Sequence, residues 1–223
     1  GVASGVVTTI TPTVSGQACR IAYLSDTNIT EPKTLVLYFH GSSETQDTPF
    51  TGLGKNITDK LISEGYIVAA SFAGGNAWGN QDSQDDYYDL YSYINGLYNI
   101  NRVVFIGQSM GGLTSLNLLA SNRITKCYAW YGVYPVTNLN EAYFNEGFAS
   151  AIETAYGFVG SGNYAAATAG FDPQITTTSL FAEKTYDMTA SPDDTLIFKT
   201  TNSDLFKTKI NSVAFRANVF AAT

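Results

Sequence analysis

The chain has 223 residues, 44% hydrophobic and 14% charged, which suits one large globular domain with its own core and excludes a disordered chain. A net charge of -7 without a basic cluster argues against nucleic acid or anionic membrane as partners, and no apolar run approaches the roughly 20 residues of a membrane-spanning helix. One histidine and two distant cysteines, Cys19 and Cys127, make no zinc site, so no metal or cofactor is expected and the cysteines read as buried free thiols.

In chain order, "VVTTITPTV" and "ACRIAYL" are strand-like runs separated by Ser15-Gly16 and predict an N-terminal antiparallel hairpin. "TLVLYF" (34–39) is apolar nearly throughout, as a strand buried on both faces should be, and runs into His40-Gly41. Residues 49–64 are helical in tendency, "YIVAAS" (66–71) is the next buried strand, and "AGGNAWGN" is a loop. A helix is expected from Asp82 to Tyr98, with Tyr88, Tyr91, Ile94, Leu97 and Tyr98 on one face. "RVVFIG" (102–107) is a third buried strand, Met110 to Ser121 a helix, and "KCYAWYG" (126–132) a fourth strand.

From about 133 to 178 the pattern weakens into a segment rich in Ala, Gly, Asn and aromatics, with short helices expected near 140–157 and 161–169. It is too long for a plain connection and reads as a cap inserted over the strand ends of a single domain, 1–223. A helix near 176–184, a strand near 185–190, the loop "ASPDDTLI", a helix at 200–212 and a last strand "AFRANVFAA" (214–222) complete the chain. Strands alternating with helices predict an α/β fold, a mainly parallel sheet with helices on both faces. Sites in such folds lie at the carboxyl ends of the strands.

One short motif carries chemistry. Gly107-Gln108-Ser109-Met110-Gly111 reads G-x-S-x-G between a buried strand and a helix. A sharp turn there lifts the Ser109 hydroxyl out of the sheet and sets the Met110 N–H at a helix N-terminus, where an anion is favoured. A serine becomes a useful nucleophile only with a base and an oxyanion hole. The bland alternative is that Ser109 is a helix N-cap.

"YFHGSS", "GYIVAAS", "GQSMGG" and "ASPDDTLI" resemble the α/β-hydrolase family, from about Lys33 to the C-terminus, and in particular an esterase-like branch with a G-x-S-M-G-G elbow. The resemblance implies Ser109 as nucleophile and an oxyanion hole from the Met110 N–H and a second N–H after His40-Gly41, at Ser42. It also implies an acid after the strand at 185–190. Asp194, in Asp194-Thr195-Leu196-Ile197, fits that acid best, with Asp193 as the rival. His40 precedes both Ser109 and the acid, against the family's order of serine, acid, histidine. Its expected work is to support the oxyanion turn with Gly41.

The family's histidine would follow the last strand, and the sequence stops at Thr223. With no initiator Met, this reads as a piece of a longer polypeptide, impaired for lack of a base. The implied substrate is a small-molecule or glycan carboxylic ester, with Trp78, Gln108 and Tyr134 as pocket candidates, Trp78 reading equally well as core or loop anchor. The competing reading is a non-catalytic carbohydrate- or receptor-binding module, with aromatics of the cap (Tyr131, Tyr134, Tyr143, Phe144, Tyr156, Phe158, Tyr164) stacking on sugars. A low-Lys surface rich in Tyr, Thr and Asn suits an extracellular or virion-borne protein.

Overall fold

A computed structural model describes residues 5–25 and 30–222. Its sheet is built from β1 (Val7–Ile10), β2 (Thr13–Val14), β3 (Gln17–Leu24), β4 (Lys33–Phe39), β5 (Ile67–Ser71), β6 (Ile100–Gln108), β7 (Cys127–Val133), β8 (Thr185–Ala190) and β9 (Arg216–Ala221). The spatial order is β1-β3-β5-β4-β6-β7-β8-β9, and β2 pairs with β3. β1, β2 and β5 are antiparallel to β3, which makes the N-terminal hairpin, and every pair from β5 to β9 is parallel. All five residues of β5 are buried, as a central strand enclosed on both faces requires.

The helices α1 (Gly54–Ser63), α2 (Gln81–Asn95) and α3 (Gly111–Ser121) follow β4, β5 and β6, and α7 (Ser203–Ile210) precedes β9. α2, α3 and α7 share one core with the sheet through Leu90, Ile94, Leu116, Leu119, Phe206 and Ile210. On the opposite face α1 packs Ile62 with Phe50, Val36 and Val68, and the partly buried Val104 and Ile106 join them. Between β7 and β8 lie α4 (Leu139–Phe144), α5 (Ala149–Tyr156) and α6 (Tyr164–Ala167). They pack Leu139, Tyr143, Ile152 and Tyr164 onto Trp78, Met110 and Leu113, over the start of α3.

Several local expectations are corrected. The helix expected at 49–64 is a 3-10 turn at Thr48–Phe50 followed by α1. The break falls at Gly52, whose positive φ (56°) no helix continues through. In α2 the buried face is Tyr87, Leu90, Tyr91 and Ile94, with Tyr88 only partly buried, at the edge of the core under the Arg123 guanidinium; Tyr98 packs on the same core beyond the helix, and Leu97 there is exposed. Two observations set this phase. The Asn80 side chain caps the helix by accepting from the Ser83 N–H at 3.0 Å, and the Tyr87 hydroxyl donates to the buried Tyr38 carbonyl at 2.6 Å. The helix expected at 176–184 is one 3-10 turn, Thr178–Phe181, because three successive β-branched threonines lead into it. Cys19 and Cys127 are free and buried, as expected.

Candidate active site

β6 ends at Gln108 and α3 begins at Gly111, so the chain reverses within two residues. Ser109 takes φ +49°, a left-handed conformation that costs a non-glycine residue about 1–3 kcal/mol and is held only by surrounding structure. That structure is visible. The Ser109 N–H donates to the Val133 carbonyl of β7 at 3.0 Å, and its carbonyl accepts from Gly112 N–H at 2.9 Å and Val136 N–H at 2.8 Å. The flanking glycines allow the close approach. A Cβ on Gly107 would overlap the Ser115 hydroxyl, and one on Gly111 would overlap the Phe39 carbonyl oxygen.

The turn after β4 lies against this elbow. A Cβ built on Gly41 would stand 3.4 Å from the Ser109 Cβ and 2.8 Å from the Glu44 Oε1, so Gly41 is wedged between the serine and a carboxylate. Among the described residues, neither the Ser42 nor the Met110 backbone N–H donates to a protein acceptor. His40 is buried and braces the turn. Its Nδ1 is 2.8 Å from the Gly41 carbonyl oxygen, and its Nε2 is 2.8 Å from the Phe72 carbonyl oxygen in the loop after β5. Both ring nitrogens are thus engaged with backbone.

Asp194 lies in the loop after β8, with β7 between its strand and that of Ser109, or two spacings of about 4.8 Å. Its Oδ1 accepts from the Leu196 N–H (2.9 Å) and the Ile197 N–H (3.0 Å), so it caps its own turn. Asp194 is half-buried and Asp193 is exposed. The Asp194 charge reaches Tyr134, whose phenol is pushed up by burial and by Glu44 and Asp194, against a lowering hydrogen bond from Gln108.

Gln108 and Tyr134 border a cavity of about 860 Å³. Gln108 Nε2 donates to Tyr134 Oη at 2.6 Å and to Glu44 Oε1 at 2.9 Å, and its Oε1 accepts from the Tyr38 hydroxyl. Burial, then the Glu44 charge, pushes the Tyr38 phenol up. Trp78 is elsewhere, which corrects its assignment to the pocket. It is buried beneath α5, its ring 4.7 Å from that of Phe148, and its carbonyl accepts from the Tyr156 hydroxyl. It anchors the 72–80 loop instead.

The aromatics of the 133–178 segment are likewise no open stacking platform. Tyr143, Phe144, Phe158 and Tyr164 pack on one another with ring centroids 4.7–6.3 Å apart, and Tyr156 packs on Phe171. Tyr131, on β7, lines the cavity with Tyr134.

Three residues escaped the sequence reading. Tyr38 lies within the β4 run and looks like any strand aromatic. Glu44 follows "HGSS" closely enough that its place beside the turn after β4 could have been suspected. Glu146 had no signal: it is buried, its Oε2 accepts from the Phe198 N–H and Asn202 Nδ2, and burial pushes its carboxyl up. It ties the segment between β7 and β8 to the loop that carries Asp194.

No protein-family model and no curated protein sequence matches the chain. Solved structures do. A post-proline cleaving enzyme from Rickettsia typhi superposes with a TM-score of 0.76 at 14% identity, over 98% of this chain and 33% of that one. The fluorophosphonate-binding serine hydrolase F (FphF) of Staphylococcus aureus superposes with a TM-score of 0.73 at 17% identity, over 99% of this chain and 92% of that one. A mutant of the esterase rPPE gives a TM-score of 0.64 at 10% identity, over 96% of this chain and 74% of that one.

The fold is of the α/β-hydrolase type. The chain spans about a third of the length of the prolyl peptidases it resembles. The neighbours are serine hydrolases, peptidases and an esterase among them, and at these identities the likeness establishes the architecture. Among the described residues, no helix is long and apolar enough to cross a membrane, and no cluster of three potential metal ligands occurs.

Proposed function

We propose that this chain is a serine hydrolase acting on carboxylic esters, with Ser109 as its nucleophile. Ser109 attacks the ester carbonyl, the Met110 and Ser42 amides receive the developing oxyanion, and the alcohol leaves to give an acyl-enzyme that water then hydrolyses. The observation that supports this most is the elbow itself: a serine at φ +49° between a parallel strand and a helix N-terminus whose first amide is open. Such strain is kept where it positions a reacting group. Asp194 is the acid that would orient a base.

His40, the single histidine of the sequence, is assigned to holding the turn after β4 rather than to the base, a reading supported by its Nδ1 and Nε2 each lying 2.8 Å from a backbone carbonyl oxygen, of Gly41 and Phe72. These 223 residues are therefore expected to turn over esters poorly. In a comparable triad, loss of the histidine lowers turnover about 10⁶-fold, leaving about 10³–10⁴ over water from the oxyanion hole and binding.

The test is labelling with a fluorophosphonate probe, alongside p-nitrophenyl acetate turnover. Slow labelling confined to Ser109 and lost in Ser109→Ala, with turnover far below ordinary esterase rates, agrees with the proposal. Ordinary rates abolished by His40→Gln would show that His40 is the base.

A further inference from the structure

The cavity beside the elbow has two unlike ends. Its mouth is the linked set Tyr38, Gln108, Glu44 and Tyr134, and Gln108 immediately precedes Ser109. From there it runs down the face of the sheet, over Ile106 and Val68, beneath Ile57 and Leu61 of α1. There the lining is mostly apolar, with Thr48, Thr51 and Thr58 among it. The polar groups at the mouth largely satisfy one another: the Gln108 amide spends its bonds on Tyr38, Glu44 and Tyr134. Glu44 is the one charged side chain among the described residues that line the cavity. A volume of about 860 Å³, mostly apolar with few polar groups, is the size and character of a small-molecule site.

We propose that this groove is the acyl subsite, built for an uncharged ester with a hydrocarbon acyl chain, and that Glu44 makes it selective against the free acid. This deepens the proposed function and rests on Ser109 as nucleophile. Three features favour a hydrocarbon chain. The groove lies beside the elbow: Gln108 of its lining directly precedes Ser109, and Gly41 alone stands between its Glu44 and Ser109. Beyond the linked set its lining is mostly aliphatic, with no charged side chain among the described residues there. The charge on its lining is negative and stands where the acyl carbonyl region would lie. A neutral ester enters without an electrostatic penalty. Hydrolysis leaves a carboxylate facing Glu44, and like charges in a partly desolvated site repel, which speeds product release. The segment between β7 and β8, with its aromatics packed on one another, leaves the acyl chain no comparable space on that side.

The experiment is done on the Ser109→Ala chain, so nothing is turned over. Methyl octanoate and octanoate are titrated by calorimetry near pH 8. The ester should bind saturably and about tenfold more tightly than the acid, and Glu44→Gln should close that gap, a change of about 1.4 kcal/mol in relative binding. Ile57→Glu, at a residue 63% exposed and hence tolerant, should weaken the ester by placing a charge on the hydrocarbon wall.

The proposal is overturned if the ester does not bind, if octanoate binds as tightly as the ester, or if Ile57→Glu leaves binding unchanged. Sedimentation of the unmodified chain adds a check. A dimer dissociated by Ile57→Glu would assign the groove to a second copy instead. Fluorophosphonate labelling of unmodified Ser109 separates the two proposals, since ester binding without labelling leaves the subsite standing and removes the hydrolase.

Discussion

Gly111 and Phe39 are packed so closely that no side-chain atom fits between them: a Cβ on Gly111 would lie inside the contact radius of the Phe39 carbonyl oxygen. The start of α3 is thereby pressed onto the end of β4, which brings the Met110 amide and the His40–Ser42 turn to one place. Gly111→Ala must push helix and strand apart. Overpacking of this kind costs about 3 kcal/mol, equal to a fall of about 6–12 °C in Tm for a chain of this size. Thermal unfolding measures it, with Gly162→Ala as a control that should change little, because nothing lies within 4 Å of a Cβ added there.

His40 joins the turn after β4 to the loop after β5 through both ring nitrogens. His40→Ala removes the ring's contacts to the Gly41 and Phe72 carbonyls, which keep the Glu44 and Gly75 N–H donors, and should destabilise the chain by about 1 kcal/mol in urea unfolding. It should also slow fluorophosphonate labelling of Ser109 by loosening the turn. If stability were unchanged while labelling was abolished, the histidine would be acting on the serine instead.

Asp194 caps its own turn through one oxygen. Asp194→Asn keeps that acceptor and should change stability little, whereas Asp194→Ala should cost about 1 kcal/mol. Chemical denaturation of both variants checks this. Equal losses in the two would mean that the charge, not the hydrogen bonds, holds the loop.

Asp86, on α2, has its carboxyl pushed up to about 6, first by burial and then by the charges of Asp82, Asp89 and Asp85. Its folded value exceeds the ordinary one, so its stabilising contribution is fully present below about pH 4 and is lost as pH rises through about 6. Asp86→Asn should therefore raise stability near pH 8 by about 1 kcal/mol, after allowance for solvent screening of this half-exposed group, and by much less near pH 4. Urea midpoints at the two pH values test the sign.

Both thiols are buried, and burial pushes Cys127 up to about 12 and Cys19 above its usual value. Neither should react with a thiol-specific disulfide reagent in the native state, and both should react in denaturant. Rapid native reaction at Cys19 would show that the N-terminal hairpin opens.

The alternation of buried strands with helices, the hairpin, and the strand–GQSMG–helix order were legible in the sequence, because each is a local pattern: apolar runs as long as a strand, glycines where bulk cannot fit, and a serine between them. The phase of α2 was not. Tyr87, Tyr88 and Tyr91 weigh alike in a periodicity, and the Tyr38 and Ser71 carbonyls, which accept from the Tyr87 hydroxyl, set the phase that buries Tyr87 most deeply. Trp78 was equally undecided, since an indole serves a pocket as well as a core, and the place of α5 settled it. The meeting of Gly41, Glu44, Gln108 and Tyr134 beside Ser109 belongs wholly to the tertiary structure. These residues come from β4, β6, β7 and their loops, and strand order and register bring them together, which no spacing along the chain encodes.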